Sequence, residues 1–333
     1  MRNSKFSTFA ITASIVLTAL AGCGGSSQMA PRLSGQVPGI TTQSVRQARA
    51  QGEAKAAGGM YIVQGTDSLP EYTLPDKKNR GARCSDSLPN GGVNGIAVDA
   101  HRILYVPLST GDVLTFGPDC GAPGPTLVDP NSDLGDVAID NKKNTVYVSN
   151  LSTGDIDVYK NGATSPTGVL SNSQYNGHGY GFGVAVDRFG NVFNSGPTIV
   201  EFPLGHNKGS KALALSGLIG PQGLSFDSND NLLVTNEYNI AIYAPPYSGA
   251  PKQTITTQPF CTYSALDSNN KNLYVSEQTN NAVDVYAYPS GTFEYSISTG
   301  LQRYVQGLAI DPPMKTVGSE FRLRARARQS PLH

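Results

Sequence analysis

One segment recurs six times along the 333-residue chain, and its spacing constrains the fold more than any other feature. Gly95-Ile-Ala-Val-Asp99 returns as Asp136-Val-Ala-Ile-Asp140, Gly183-Val-Ala-Val-Asp187, Gly223-Leu-Ser-Phe-Asp227, Tyr263-Ser-Ala-Leu-Asp267 and Gly307-Leu-Ala-Ile-Asp311. Successive aspartates are 41, 47, 40, 40 and 44 residues apart. A period near forty is that of a four-stranded propeller blade.

Each of the first five copies is followed by a second apolar run: Leu104–Val106, Val146–Val148, Val192–Phe193, Leu232–Val234 and Leu273–Val275. A third run comes next: Val113–Phe116, Ile156–Tyr159, Ile199–Phe202, Ile240–Tyr243 and Val283–Tyr286. Apolar residues two apart, ending in an aromatic, predict strands with one buried face. Weaker fourth strands are expected at Ala212–Leu215 and Phe293–Ile297. The two ends complete the count. Met60–Val63 reads as a second strand and Leu69–Tyr72 as a third, with no first strand before them. Gly307–Asp311 is a first strand with nothing after it. The expected fold is therefore an all-β, six-bladed propeller with four-stranded blades. Its closing blade pairs the C-terminal inner strand with the N-terminal strands, leaving no open edge.

The signature of Gly, apolar, small, apolar, Asp, turn and Leu-Tyr-Val resembles the NHL-type repeat. More broadly it is similar to the six-bladed propellers that include the SMP-30/gluconolactonase-like proteins. The resemblance covers about residues 59–311 and specifies fold more than function. It implies, as one alternative, a lactonase-like hydrolase with a divalent cation such as Ca or Zn in the channel, activating water or polarising a carbonyl. The matching donors would be Glu277, Asn150 and Asn236, and the position of an early acidic ligand is taken by Gln64.

The N-terminus reads as an address. Arg2 and Lys5 precede the uncharged apolar stretch Phe6–Leu20, which is short for a membrane span and suits a secretory signal. It ends in Leu20-Ala21-Gly22-Cys23, which resembles the lipobox of bacterial lipoprotein precursors. That resemblance implies cleavage before Cys23 and acylation of its thiol, anchoring the chain to a membrane. Residue 24 is Gly rather than Asp, which by the same resemblance favours the outer membrane. The expected organisation is a signal peptide at 1–22, Cys23 and a flexible tether to 58, the propeller at 59–314 and a disordered basic tail at 315–333.

Charge supports this division. The chain carries 25 Lys+Arg and 25 Asp+Glu. Residues 59–314 hold fourteen of the former and twenty-three of the latter, so an acidic body lies between basic ends. An acidic propeller argues against nucleic acid as its partner.

Several features invite chemical readings that their surroundings do not sustain. The repeat aspartates precede Asn-rich turns, where Asp side chains cap backbone N–H groups. Asp227–Asn231 imitates an EF-hand loop but has Leu232 where Gly is required and Tyr238 where Glu is required. No GxSxG, HExxH, CxxC or P-loop is present. An export compartment permits a disulfide. Cys84 and Cys120 lie in neighbouring repeat units and are the preferred pair, leaving Cys261 free and buried.

Propeller geometry brings the loops entering each inner strand and those leaving each second strand to one face. That face would gather Gln64, Asn94, Asn150, Gln222, Asn236, Glu277 and Gln306. The longest interval adds an enlarged loop, Ser171–Phe182, with Tyr175, His178 and Tyr180. Amides and aromatics around a mouth suit a polar organic ligand or a peptide. The expected function is a lipid-anchored binding module of the cell envelope, with a small molecule or envelope protein as partner. No catalytic residue and no cofactor is assigned in that reading.

Overall fold

The computed structural model describes residues 58–65, 68–89, 93–130, 133–175, 181–205 and 210–313. The signal segment, Cys23, the tether to residue 57, His178, Tyr180 and the tail from residue 314 lie outside these residues. Among the described residues twenty-four strands form six antiparallel four-stranded sheets, and the protein is a six-bladed β-propeller. The inner strands follow one another around a central axis.

Blade one closes the ring. From the axis outward it consists of Leu308–Asp311, Gly59–Ile62, Ser68–Thr73 and Cys84–Ser87. Gly59 pairs with Asp311 and Ile62 with Leu308, so both chain ends share one sheet. The inner strands of blades two to six are Ala97–Val98, Leu134–Asp140, Val184–Val186, Leu224–Phe226 and Cys261–Leu266.

Burial departs from a simple alternation. The second strands Thr145–Asn150, Val192–Ser195 and Leu232–Thr235 are buried at every position. Each sheet is covered by a neighbouring blade on both faces, so period-2 patterning survives only toward the rim. The outer strand Gln253–Thr256 alternates as expected. The fourth strand expected at Ala212–Leu215 pairs only over Lys211–Ala212. Leu213 turns into the core instead, and Leu215 bridges to Gly249 of blade five.

The core is six clusters, one at each blade interface. The small residue at the centre of the repeat motif explains their shape. Ala309 packs against Ile96 and Val98, Ala138 against Val184, and Ala185 against Leu224 and Phe226. Near the axis the sheets converge, so a large side chain on one blade needs a small one on the next.

The motif aspartates hold the turns. Asp187 Oδ1 accepts from the N–H groups of Phe189, Gly190 and Asn191 at 2.8–2.9 Å. Asp227 Oδ1 accepts from Asn229 and Asn231, both at 2.8 Å. Asp311 is held across the seam: it accepts from Arg102 Nε of blade two at 2.9 and 2.8 Å, and from Arg102 Nη2. Arg102 sits at φ +67°, where other turns place Gly190 or Asn270.

The same seam carries more cross-links. Cys84 and Cys120 form a disulfide between blades one and two, and Cys261 is free and buried. Glu71, Arg83, Asp119, Arg102 and Asp311 form a continuous chain of ion pairs beside it.

Candidate functional site

The residues expected at the entry face fall into two groups. Asn94, Gln222 and Gln306 are half-buried and stand just before the inner strands of blades two, five and one. Their backbone carbonyls join a belt of hydrogen bonds around the axis. Asn94 O accepts from Gly307 N at 2.7 Å, Gln222 O from Ser195 Oγ, and Gln306 O from Thr262 Oγ1 at 3.4 Å. Gly95 N donates to Gly135 O, and Gly223 N to Thr262 O, at 3.0 and 2.9 Å.

Gln64, Asn150, Asn236 and Glu277 lie one strand further out, and all four are buried. Their side chains turn into the fold. Gln64 donates to Ser68 Oγ and accepts from Gln302 N. Asn150 Oδ1 accepts from Ser152 N and Thr153 N. Asn236 accepts from Ile219 N and donates to Gly217 O and Asn239 Oδ1. Glu277 accepts from Asn280 N, and burial pushes its carboxyl upward against that bond. Each side chain is engaged within or beside its own blade. The three oxygen donors named for a divalent cation thus cap loops of blades three, five and six. Tyr175 is also buried, its hydroxyl bonded to Asn194 O and Thr198 O.

The glycines of the repeat explain the closeness of the belt. A Cβ on Gly307 would lie 2.2 Å from Asn94 O, and one on Gly183 2.3 Å from Gln222 O. Two of the six positions are not glycine, and they sit on opposite blades: Asp136 on blade three and Tyr263 on blade six. Asp136 Oδ2 accepts from Val184 N at 3.0 Å, and its Oδ1 from Val137 N at 2.8 Å. Its side chain fills the space a Cβ on Gly95 would need, and Tyr263 does the same at Gly223.

Below this belt lies a central cavity of about 240 Å³ lined by all six inner strands. Its wall runs from Asp136 and Tyr263 to Asn141, Arg188, Ser228 and Pro313, on the turn face. Among the described residues none from the entry loops lines it. Asp136 and Tyr263 stand at the entry-face end of this lining, and its polar rim is on the opposite face. Burial pushes the Asp136 carboxyl up to about 7, against the two backbone N–H groups it accepts. Burial, and then the charge of Asp136, raise the Tyr263 phenol well above its usual range. The signal for both was present in the repeat: they are the two copies that replace the opening glycine.

The entry face itself is apolar in one sector. Ile219, Tyr238, Phe260 and Tyr304 are 44–60% exposed, in loops of blades five, six and one. Glu237 N donates to Ile219 O, and the Tyr238 and Phe260 rings lie 6.4 Å apart. Single exposed apolar residues are ordinary; here two exposed aromatic rings stand side by side. Glu71, Cys84 and Cys120 also cluster closely enough for a metal, but the two sulfurs are joined to each other.

No family model and no curated protein sequence matches this chain. Among solved structures it is similar to a chain in the crystal structure of a nidogen/laminin complex, with 18% identity and a TM-score of 0.67. The match covers 78% of this chain and all of the other. At that identity the similarity is one of fold alone.

Proposed function

We propose that the protein is an exported, lipid-anchored propeller of the cell envelope that binds a polypeptide partner through its entry face. The observation that carries this reading is the apolar sector formed by Ile219, Tyr238 and Phe260, with Tyr304 on the next blade. It lies on the side of the channel where Asp136 and Tyr263 stand. Aromatic anchors on a rigid rim are the residues that dominate protein interfaces. The similar chain from the nidogen/laminin crystal structure comes from a protein–protein assembly, in line with this use of the fold. Cys23 after a secretory stretch supplies the anchor, and acylation would hold the propeller at a membrane.

The test is photo-crosslinking in the native envelope with the lipidated chain. A crosslinker at Tyr238 or Phe260 is expected to give one discrete adduct, and the same group at Val169 on an outer strand none. Equal adducts at both places, or none at either, would remove the entry face from the account. Loss of fatty-acid labelling in Cys23→Ala checks the anchor separately.

A further inference from the structure

The central channel holds a buried carboxylate with no cation beside it and two buried hydroxyls with no hydrogen-bond partner among the described residues. Asp136 accepts two backbone N–H bonds, but no Lys, Arg or His among the described residues pairs with it. Tyr263 is only 7% exposed, and its hydroxyl has no hydrogen-bond partner among the described residues. The Ser225 hydroxyl is likewise buried without a partner. All three residues line the same cavity. A carboxylate withdrawn from water is costly unless it meets a cation or takes up a proton. Among the described residues Arg188 is the one cationic side chain in the lining, and it is exposed at the rim and paired with Asp230.

We propose that the channel is a binding site for a small primary ammonium compound, entering from the turn face with its charged nitrogen against Asp136. An ammonium brings three N–H donors, and Asp136, Tyr263 and Ser225 supply oxygens of the right kind. Its carbon stem would lie along Ala97, Ala138, Ala265 and Ala309, which leave the axis open. A calcium ion fits this set less well, because it seeks six to eight oxygens and the channel floor offers one carboxylate. The cavity of about 240 Å³ is far larger than the space one water needs. Burial holds the Asp136 carboxyl up at about 7, so an ammonium binds the ionised form and affinity rises with pH across that value. The other titratable groups facing the channel are Tyr263, at the floor, and Asp227, Asp230 and Arg188, toward the rim. This site is on the opposite side of the belt from the apolar sector, so the two readings stand or fall separately.

The experiment uses the mature chain with propylammonium and a linear diamine as probes, propanol as the neutral control and calcium chloride as the rival cation. Calorimetric titration and thermal unfolding are read at a pH above and a pH below 7. The ammonium probes are expected to bind and to raise the unfolding temperature, more strongly at the higher pH, while propanol has no effect. Asp136→Asn should weaken binding by about tenfold or more, the loss of one charge-assisted hydrogen bond. Should that variant fail to fold, Tyr263→Phe keeps the ring, removes the hydroxyl and should weaken binding several-fold. Equal binding by Asp136→Asn, a response to calcium without one to ammonium, or no response to any probe would overturn the assignment.

Discussion

At the residue scale the fold depends on what is missing from four positions. Gly95, Gly183, Gly223 and Gly307 let neighbouring inner strands meet backbone to backbone. In Gly307→Ala the new Cβ would lie 2.2 Å from Asn94 O and 2.8 Å from the Gly95 Cα, both backbone atoms that cannot swing aside. Urea unfolding should show a loss of about 1–3 kcal/mol, the usual cost of overpacking. Gly168→Ala, where nothing lies within 4 Å, should stay within about 0.5 kcal/mol of the parent. Asp136 makes a different prediction. Its folded carboxyl is raised to about 7 from the ordinary 3.8, so between those values the folded state holds a proton that the unfolded state has lost. Its contribution is full below about pH 4 and is lost as pH rises through 7. Relative to Asp136→Asn, the parent should lose stability over that window at up to about 1.4 kcal/mol per pH unit and level off above it. Equal pH profiles for parent and variant would refute the assignment. The glycines and turn aspartates were legible from sequence because each repeats at one place in the unit. The inward turn of Gln64, Asn150, Asn236 and Glu277 was not. Strand counting places these residues at the entry face, but nearby backbone groups such as Ser152 N and Asn280 N decide where the side chains point.

At the scale of elements, the seam between blades one and two is cross-linked most heavily. Closing the ring joins segments more than two hundred residues apart, such as Gly59 and Asp311, and the chain must lose that loop entropy. The disulfide Cys84–Cys120 and the Asp311–Arg102 pair both bind blade one to its neighbour. Cys84→Ala with Cys120→Ala should lower stability by about 2–4 kcal/mol, read as a shift of the urea midpoint. Arg102→Met leaves the fully buried Asp311 carboxylate without its cation and should cost about 3–5 kcal/mol. Removing both charges, as in Arg102→Met with Asp311→Leu, should recover much of that loss, whereas additive losses would show that the pair acts only through packing. The strands themselves were readable because short apolar runs bounded by turn residues recur at the same place in each repeat. Burial on both faces was not readable, since it comes from neighbouring blades rather than from the strand. The ion chain through Glu71, Arg83 and Asp119 was hidden for the same reason: its members lie in different turns and strands and meet only when the ring closes.

At the scale of the whole molecule, the propeller has two unlike faces and a closure that decides whether either exists. The entry face carries the apolar sector, while the turn face holds the channel rim with Arg188 and Asp230. Both depend on Leu308–Asp311, which supplies the inner strand of blade one and covers Gly59–Ile62. Ending the chain after Gln306 would expose Met60, Ile62 and their unpaired backbone groups, an open edge of the kind that invites aggregation. That chain is expected to lose the cooperative thermal transition and to associate, seen as a broadened melt and light scattering. A chain ending after Pro313 keeps every described strand and should melt within a few degrees of the parent. The shorter truncation also strips the basic stretch from Lys315 to Arg328, so the retained chain becomes more acidic while its fold persists. If instead both truncated chains melt like the parent, the C-terminal strand is not what closes the ring. A similar large loss in both would show that residues beyond 313 contribute to the folded body.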